Sequence, residues 1–214
     1  MQLTSVNIGA DRPIQNAKPS GRTGIFKMPV DGPVALTTLG LKGDVIIDTE
    51  NHGGPDQAIY LFTLPDYRWW SAHIGRDLAP GTFGENLTLS GLDSAALAVG
   101  DRLRIGPTLL EVTCPRIPCV TLAARMGDPA FVKTFRRAER PGVYCRVIET
   151  GELRPGAPAE LVPYQGTQVS MLEFFRMYYQ KRPSLARLRR LLDTPIPLKA
   201  RVYYEELLAA EPDR

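Results

Sequence analysis

Two of the three cysteines in this 214-residue chain lie in one short stretch, Cys114-Pro115-Arg116-Ile117-Pro118-Cys119. A structural zinc site needs about four ligands at recognised spacings. With two histidines and no C-x-x-C pair, the ligand count speaks against zinc. A disulfide across so short a loop, stiffened by two prolines, would be strained. Cys114 ends the apolar run "LLEVTC" and Cys145 sits in "VYCRVI". Both read as buried strand positions, where a free thiol packs as a small hydrophobe. Cys119 is different. It follows Arg-Ile-Pro and precedes "VTLAARM", where a loop turns into a helix. A helix N-terminus and a nearby guanidinium both stabilise a thiolate, which is a nucleophile or a soft-metal ligand. The stretch by itself leaves a structural and a functional role for Cys119 equally open.

Three other stretches could meet a ligand. "NHGGPDQAIY" (51–60) puts His52 and Asp56 around a glycine pair, and glycines let backbone N–H groups approach an anion closely. Its ordinary reading is a surface turn, with Asp56 as a turn or capping residue. "KPSGRTGIFKMPV" (18–30) carries Lys18, Ser20, Arg22 and Lys27, a set suited to phosphate and equally compatible with a solvated loop. "TFGENLT" (82–88) carries Glu85 and Asn86. Asn86 can offer donors and an acceptor to a heterocycle, or simply cap a turn.

The elements that would position these residues are mostly strands. Glycine and proline, 19 each, are spread along the chain, as expected for many short strands joined by turns. Strands are expected at 3–9, 23–30, 57–63, 83–91, 142–152 and 159–164, with two more within 96–114 around the Gly106-Pro107 turn; 34–40 and 41–48 read as short strands or the arms of a tight corner, with Gly40, Gly43 and Asp44 supplying the turn. A helix is expected over 64–75, with Pro65 in its first turn and Gly75 past its end. Two more follow Cys119, the second over 128–140 with Asp128 as N-cap and Pro129 at the first helical position. Beyond Gly166 the pattern becomes helical: 167–182, 184–193 and 197–211, separated by prolines. Leu185, Leu188, Leu191 and Leu192 mark the apolar stripe of the middle one. The expected fold is mainly β with helices: a closed or nearly closed β-barrel with inserted helices (1–165), then a small C-terminal three-helix module (166–214).

Composition limits the function classes. Hydrophobic residues make up 43% and charged residues 23%, as in a globular protein with a real core. A net charge of +3 is too small to argue for nucleic acid, and no such partner is expected. No apolar run approaches a membrane span, so no membrane association is expected. The opening "MQLTSVNIGADR" lacks an apolar leader core, and three cysteines make no disulfide framework. A reducing, cytoplasmic setting with free thiols is therefore expected.

The order of these stretches carries more than any one of them. "AKPSGRTGIFK", "LGLKGDVIID", "HGGPDQAIYLF", "FGENLTLSGL", "VGDRLRIG" and "CPRIPCVTL" together resemble the MOSC (molybdenum cofactor sulfurase C-terminal) domain, in its bacterial YiiM-like branch. The resemblance runs from Lys18 to Pro163, and the helical tail is similar to the module that follows the barrel in that branch. It implies a β-barrel that binds a molybdopterin-type molybdenum cofactor. It implies that Cys119 ligates molybdenum, with Arg116 beside it in a catalytic role. It implies that Lys18, Ser20, Lys27, Asn86 and Arg116 hold the pterin and its phosphate, and that His52 and Asp56 are binding residues near the pocket. The implied activity is a detoxifying reduction of small N-hydroxylated compounds, such as N-hydroxylaminopurine-type bases, to amines. No G-x-G-x-x-G fingerprint is found, so a separate flavin or NAD(P)H reductase is implied as electron donor. Two alternatives remain. Cys119 could carry a persulfide for metal-cofactor biosynthesis, although no aminotransferase-like, pyridoxal phosphate-dependent sulfur source is apparent in the chain. The protein could also be a non-catalytic cofactor carrier. The tail is open to two roles, a homodimer contact or a dock for the reductase.

Overall fold

A computed structural model describes residues 1–210. The N-terminal half contributes β1 (Gln2–Gly9), β2 (Arg12–Pro13), β3 (Arg22–Thr23), β4 (Lys27–Pro29), β5 (Val34–Thr37), β6 (Gly40–Leu41) and β7 (Ile59–Thr63). Helix α1 (Leu64–Ile74) leads to β8 (Leu87–Ser90), β9 (Arg102–Ile105) and β10 (Thr108–Pro115). Then come α2 (Val120–Met126), α3 (Phe131–Ala138), β11 (Val143–Glu149), β12 (Gly151–Leu153) and β13 (Ala159–Val162). The chain finishes with α4 (Met171–Tyr178), α5 (Leu185–Leu192) and α6 (Leu198–Ala209). Glu211, expected in the last helix, lies outside the described residues. Among the described residues no helix is long and apolar enough to cross a membrane.

The protein is mainly β with helices. Eight strands form one sheet in the order β13-β9-β10-β11-β7-β8-β1-β4, and a three-stranded sheet β12-β5-β6 accompanies it. The ladder does not close into a barrel. Its near-closure is a single bridge, Gln2 to Pro158, supported by backbone bonds such as Leu3 N–H to Ala157 O (2.9 Å). Beyond that bridge the register breaks: Ala157 N–H turns back to Arg154 O (3.1 Å) and Gly156 N–H takes Leu3 O (2.7 Å), so the pairing between β1 and the segment before β13 does not extend into a full ladder. Strands β7 and β10 are buried along their whole length, which accounts for their unbroken apolar character. Between α1, α3 and the sheet, Trp70, Phe83, Phe131 and Phe135 pack ring against ring.

Local cues set several boundaries. Helix α1 begins where the Thr63 hydroxyl accepts from Asp66 N–H, and ends at Gly75, whose φ of 76° suits glycine. Helix α3 begins later than expected. Asp128 does not serve as its N-cap: its carboxylate closes the preceding turn by accepting from Ala130 N–H (2.8 Å), and the helix starts at Phe131. The stretch 41–48 pairs only at Gly40–Leu41; Gly43 at φ 90° then turns the chain, and Val45 to Asp48 run along a cleft instead. The expected strand over 23–30 is likewise split into β3 and β4, and Gly24 lies in the gap. A Cβ there would sit 1.8 Å from Val45 O, so only glycine lets these two segments touch.

The tail is tied to the sheet. Met171 N–H donates to Leu97 O (2.7 Å) and Val99 N–H to Val169 O (2.9 Å). Leu188 and Leu191 of the apolar stripe are buried, and Phe174 and Tyr204 join the same continuous core. Arg146 of β11 reaches the Pro195 and Ile196 carbonyls at 3.1 and 3.3 Å, just before α6.

Candidate active site

Cys119 occupies the N-cap position of α2 in an extended conformation (φ −129°, ψ 171°). All three cysteines are free. Burial raises thiol pKa values throughout, and at Cys114 it dominates, pushing the group to about 12. Burial also pushes Cys119 upward, but a hydrogen bond from His52, the charge of Arg116 and the Leu122 N–H outweigh it. Its pKa falls to about 6. Cys119 is therefore a thiolate at neutral pH, and Cys114 and Cys145 are inert core thiols.

Arg116 is only 4% exposed. It donates to Phe83 O at 3.0 Å, and its guanidinium carbon lies 4.9 Å from the Tyr60 ring centroid. Its Nε is buried without a hydrogen-bond partner. Among the described residues no carboxylate forms an ion pair with it. Its neighbours are the Cys119 sulfur and the hydroxyls of Tyr60 and Tyr144. The Cys119 thiolate balances the Arg116 charge, and what is left over is the buried Nε–H, a donor without a partner that an acceptor on a ligand would satisfy.

The cleft in front of this pair spans about 700 Å3, open solvent at its mouth included, and brings together Lys18, Ser20, Lys27, His52, Asn86, Arg116 and Cys119, seven of the eight residues expected at the site. Arg22 lines it too. Several of its polar groups already have partners. Lys18 pairs with Asp48, and buried Lys27 with Asp44 at 2.5 Å. Burial lowers the Lys27 pKa against the pull of Asp44. Asn86 braces the walls: its Oδ1 accepts from Tyr60 N–H (3.1 Å) and its Nδ2 donates to Asp44 (2.8 Å). Glu85 lies behind the cleft, its Oε1 accepting from Tyr67, Gly81 and Thr88.

Asp56 departs from expectation. It does not line the cleft. Its carboxylate pairs with Arg146 (2.8 Å) and accepts from Leu198 N–H (2.8 Å), the first residue of α6. The HGGPD turn thus divides its work, with His52 facing the thiolate and Asp56 holding the tail. Gly53 and Gly54, at φ 75° and 77°, make the backbone reversal that separates the two.

Three residues not singled out from sequence complete the site. Tyr144 lines the cleft with its hydroxyl 3.4 Å from His52 Nδ1. Asp48 lies 3.9 Å from His52 Nε2. Asp44 gathers Lys27, Asn86 and Gly9 N–H (2.8 Å). Strand alternation could have found Tyr144, because it faces away from the buried Cys145 next to it.

The MOSC domain profile matches residues 48–160. The chain belongs to the MOSC domain family. The Bacillus subtilis (strain 168) protein YflK is 33% identical over 190 residues, spanning 89% of this chain and 86% of that one. A Gibberella moniliformis protein named a reductase is 30% identical over 80% of this chain, and the match covers 31% of that longer protein. The crystal structure of YiiM from Geobacillus stearothermophilus superposes with a TM-score of 0.80 at 29% identity, covering 97% of this chain and 98% of that one. The protein is thus a YiiM-like, molybdenum-cofactor-associated MOSC protein. The site chemistry fits such a group. One soft thiolate is available, and among the described residues no cluster of three or more His, Cys, Asp or Glu could hold a metal alone. Any metal here must bring further ligands with it, as a dithiolene-bearing cofactor does. The Lys18, Lys27 and Arg116 cations suit the anionic end of that cofactor.

Proposed function

We propose that this MOSC protein reduces N-hydroxylated compounds, N-hydroxylaminopurine-type bases among them, to amines on a molybdenum cofactor held in the Cys119 cleft. The observation that carries the reading is the buried Arg116 guanidinium, without a carboxylate partner, beside a thiolate of pKa about 6. Cys119 would ligate the metal. Lys18, Ser20, Lys27, Asn86 and Arg116 would hold the pterin and its phosphate. When bound, the cofactor supplies the two electrons that break the N–O bond.

The chain's own residues do the rest. Arg116 stabilises negative charge at the reacting end of the cleft. His52, hydrogen-bonded to the Cys119 sulfur and flanked by Tyr144 and Asp48, is placed to deliver a proton to the departing oxygen. The balance is R–NH–OH plus two electrons and two protons, giving R–NH2 and water. The electrons come from a separate flavin or NAD(P)H reductase, since the chain carries no dinucleotide-binding fingerprint. A matching segment inside a longer chain named a reductase supports the oxidoreductase reading. We place the protein in the cytoplasm, in keeping with its free thiols.

The test is an assay with 6-N-hydroxylaminopurine and a chemical reductant, using protein from cells that make the cofactor. Adenine should form with wild type, and Cys119→Ala should lower the rate at least ~100-fold, the upper end of what losing a group that merely orients a ligand costs. Molybdenum-loaded protein that forms no adenine would overturn the substrate reading. A persulfide on Cys119 in molybdenum-free protein would favour sulfur transfer.

A further inference from the structure

A second cavity opens on the other side of Cys119. It spans about 1150 Å3 between the sheet and the tail, open solvent at its mouth included. Cys119, His52 and Tyr144 line both cavities, so the thiolate sits at their junction. The linings differ in chemistry. The cofactor cleft gathers Lys18, Arg22, Lys27 and Arg116, whereas the second cavity gathers rings: Tyr144, Phe174, Tyr178, Tyr203 and Tyr204. Among the described residues no carboxylate lines it, and its cations are Lys18 and Lys199. Tyr178 and Tyr203 are each 54% exposed, although most large side chains of α4 that carry apolar surface are buried. Aromatic faces left in contact with water around a cavity are available to a flat ligand.

The wall is built by the tail. Helix α4 supplies Phe174 and Tyr178, and α6 supplies Lys199, Tyr203 and Tyr204. The start of α6 is fixed on the sheet through Asp56 and Leu198 N–H (2.8 Å), and by Lys199 Nζ donating to Glu50 O (2.6 Å). These contacts place the rings opposite the turn that carries His52. Asn51 and Gln57 also line it; their NH2 groups are turned to Asp48 and the Cys114 sulfur, and their amide oxygens are acceptors suited to the polar edge of a heterocycle.

We propose that this cavity between sheet and tail is the substrate site, and that Tyr178 and Tyr203 stack on an uncharged, planar heteroaromatic base whose N-hydroxyl group points toward Cys119 and His52. The proposal deepens the reductase reading and rests on it for the identity of the reacting group. It gives the tail a role in specificity, separate from any dimer or reductase contact.

Binding can be measured apart from turnover. Calorimetric titration of 6-N-hydroxylaminopurine into the full chain tests the site directly, with N-hydroxyurea as the non-aromatic probe. Tyr203→Ala and Tyr178→Ala should each weaken the base about ten-fold, the usual scale of a lost base–aromatic stack. Tyr203→Phe should stay within about two-fold, because the ring is retained. N-hydroxyurea should bind at least about ten-fold more weakly than the base, because it has no ring to stack. Unchanged affinity in both alanine variants, equal binding of N-hydroxyurea, or no binding of the base would overturn the proposal. The reductase reading fails separately. A base that binds with the expected tyrosine dependence but is not reduced by molybdenum-loaded protein sinks the reaction and leaves the site.

Discussion

Replacing His52 by alanine removes the hydrogen bond that does most to hold Cys119 as a thiolate. Burial alone would raise this thiol, and the His52 bond heads the interactions that bring it to about 6 instead. At pH 7 a group of pKa 6 is ~90% ionised, against ~3% for an ordinary cysteine near 8.5. The sign follows from the direction of the shift: in wild type the reactive form is present above pH 6 and lost below it. Without His52, Arg116 and the Leu122 N–H remain, so the pKa should rise by about 1–2 units rather than return fully. The assay is alkylation by iodoacetamide of metal-free protein across pH 4–10, read by mass spectrometry at each cysteine. Absolute rates partly hide the effect, because a more basic thiolate is also more nucleophilic. The midpoint of the pH profile is the readout. It should lie near 6 in wild type and about 7–8 in His52→Ala, with Cys114 and Cys145 unlabelled. A wild-type midpoint near 8.5, or an unmoved midpoint in the variant, would refute the electrostatic account of the site.

Other consequences concern the scaffold. Lys27→Met leaves Asp44 buried without its ammonium partner and should cost about 3 kcal/mol, seen as a lower urea midpoint at constant slope. An unchanged midpoint would mean that Gly9 N–H and Asn86 satisfy Asp44 alone. Asp56→Ala should loosen the start of α6 at about 1 kcal/mol, the scale of a lost helix cap, and speed tryptic cleavage within α5 and α6. Equal cleavage rates would show that Arg146 holds the tail without it. Gly24→Ala puts a Cβ where Val45 O lies and should destabilise by at least ~2 kcal/mol in thermal unfolding. A wild-type melting profile would contradict the close approach.

Local chemistry made much of this legible from sequence. Pro65 and Gly75 bracket α1 by rules that act within one turn, and equally local cues mark Cys119 as a loop–helix junction. What sequence missed depends on partners far along the chain. Asp56 meets Leu198, 142 residues away, so the HGGPD turn could not reveal that one of its side chains serves the tail. Asp44 reads as a turn residue until Lys27, Asn86 and Gly9 converge on it from three segments. Tyr144 lies beside the buried Cys145 and faces the other way; what makes it a site residue is its contact with His52, 92 residues away. The open sheet was hidden for a related reason: pairing between the first and last strands is the longest-range contact in the ladder, and nothing local encodes it.

Metal and pterin analysis tests the central claim most directly. The protein should be purified from cells that make molybdenum cofactor, as wild type and as Cys119→Ala. We expect close to one molybdenum and one pterin per wild-type chain, and loss of most of the molybdenum in a folded Cys119→Ala variant. Wild-type protein without molybdenum or pterin, or a variant that keeps its full metal content, would contradict the account.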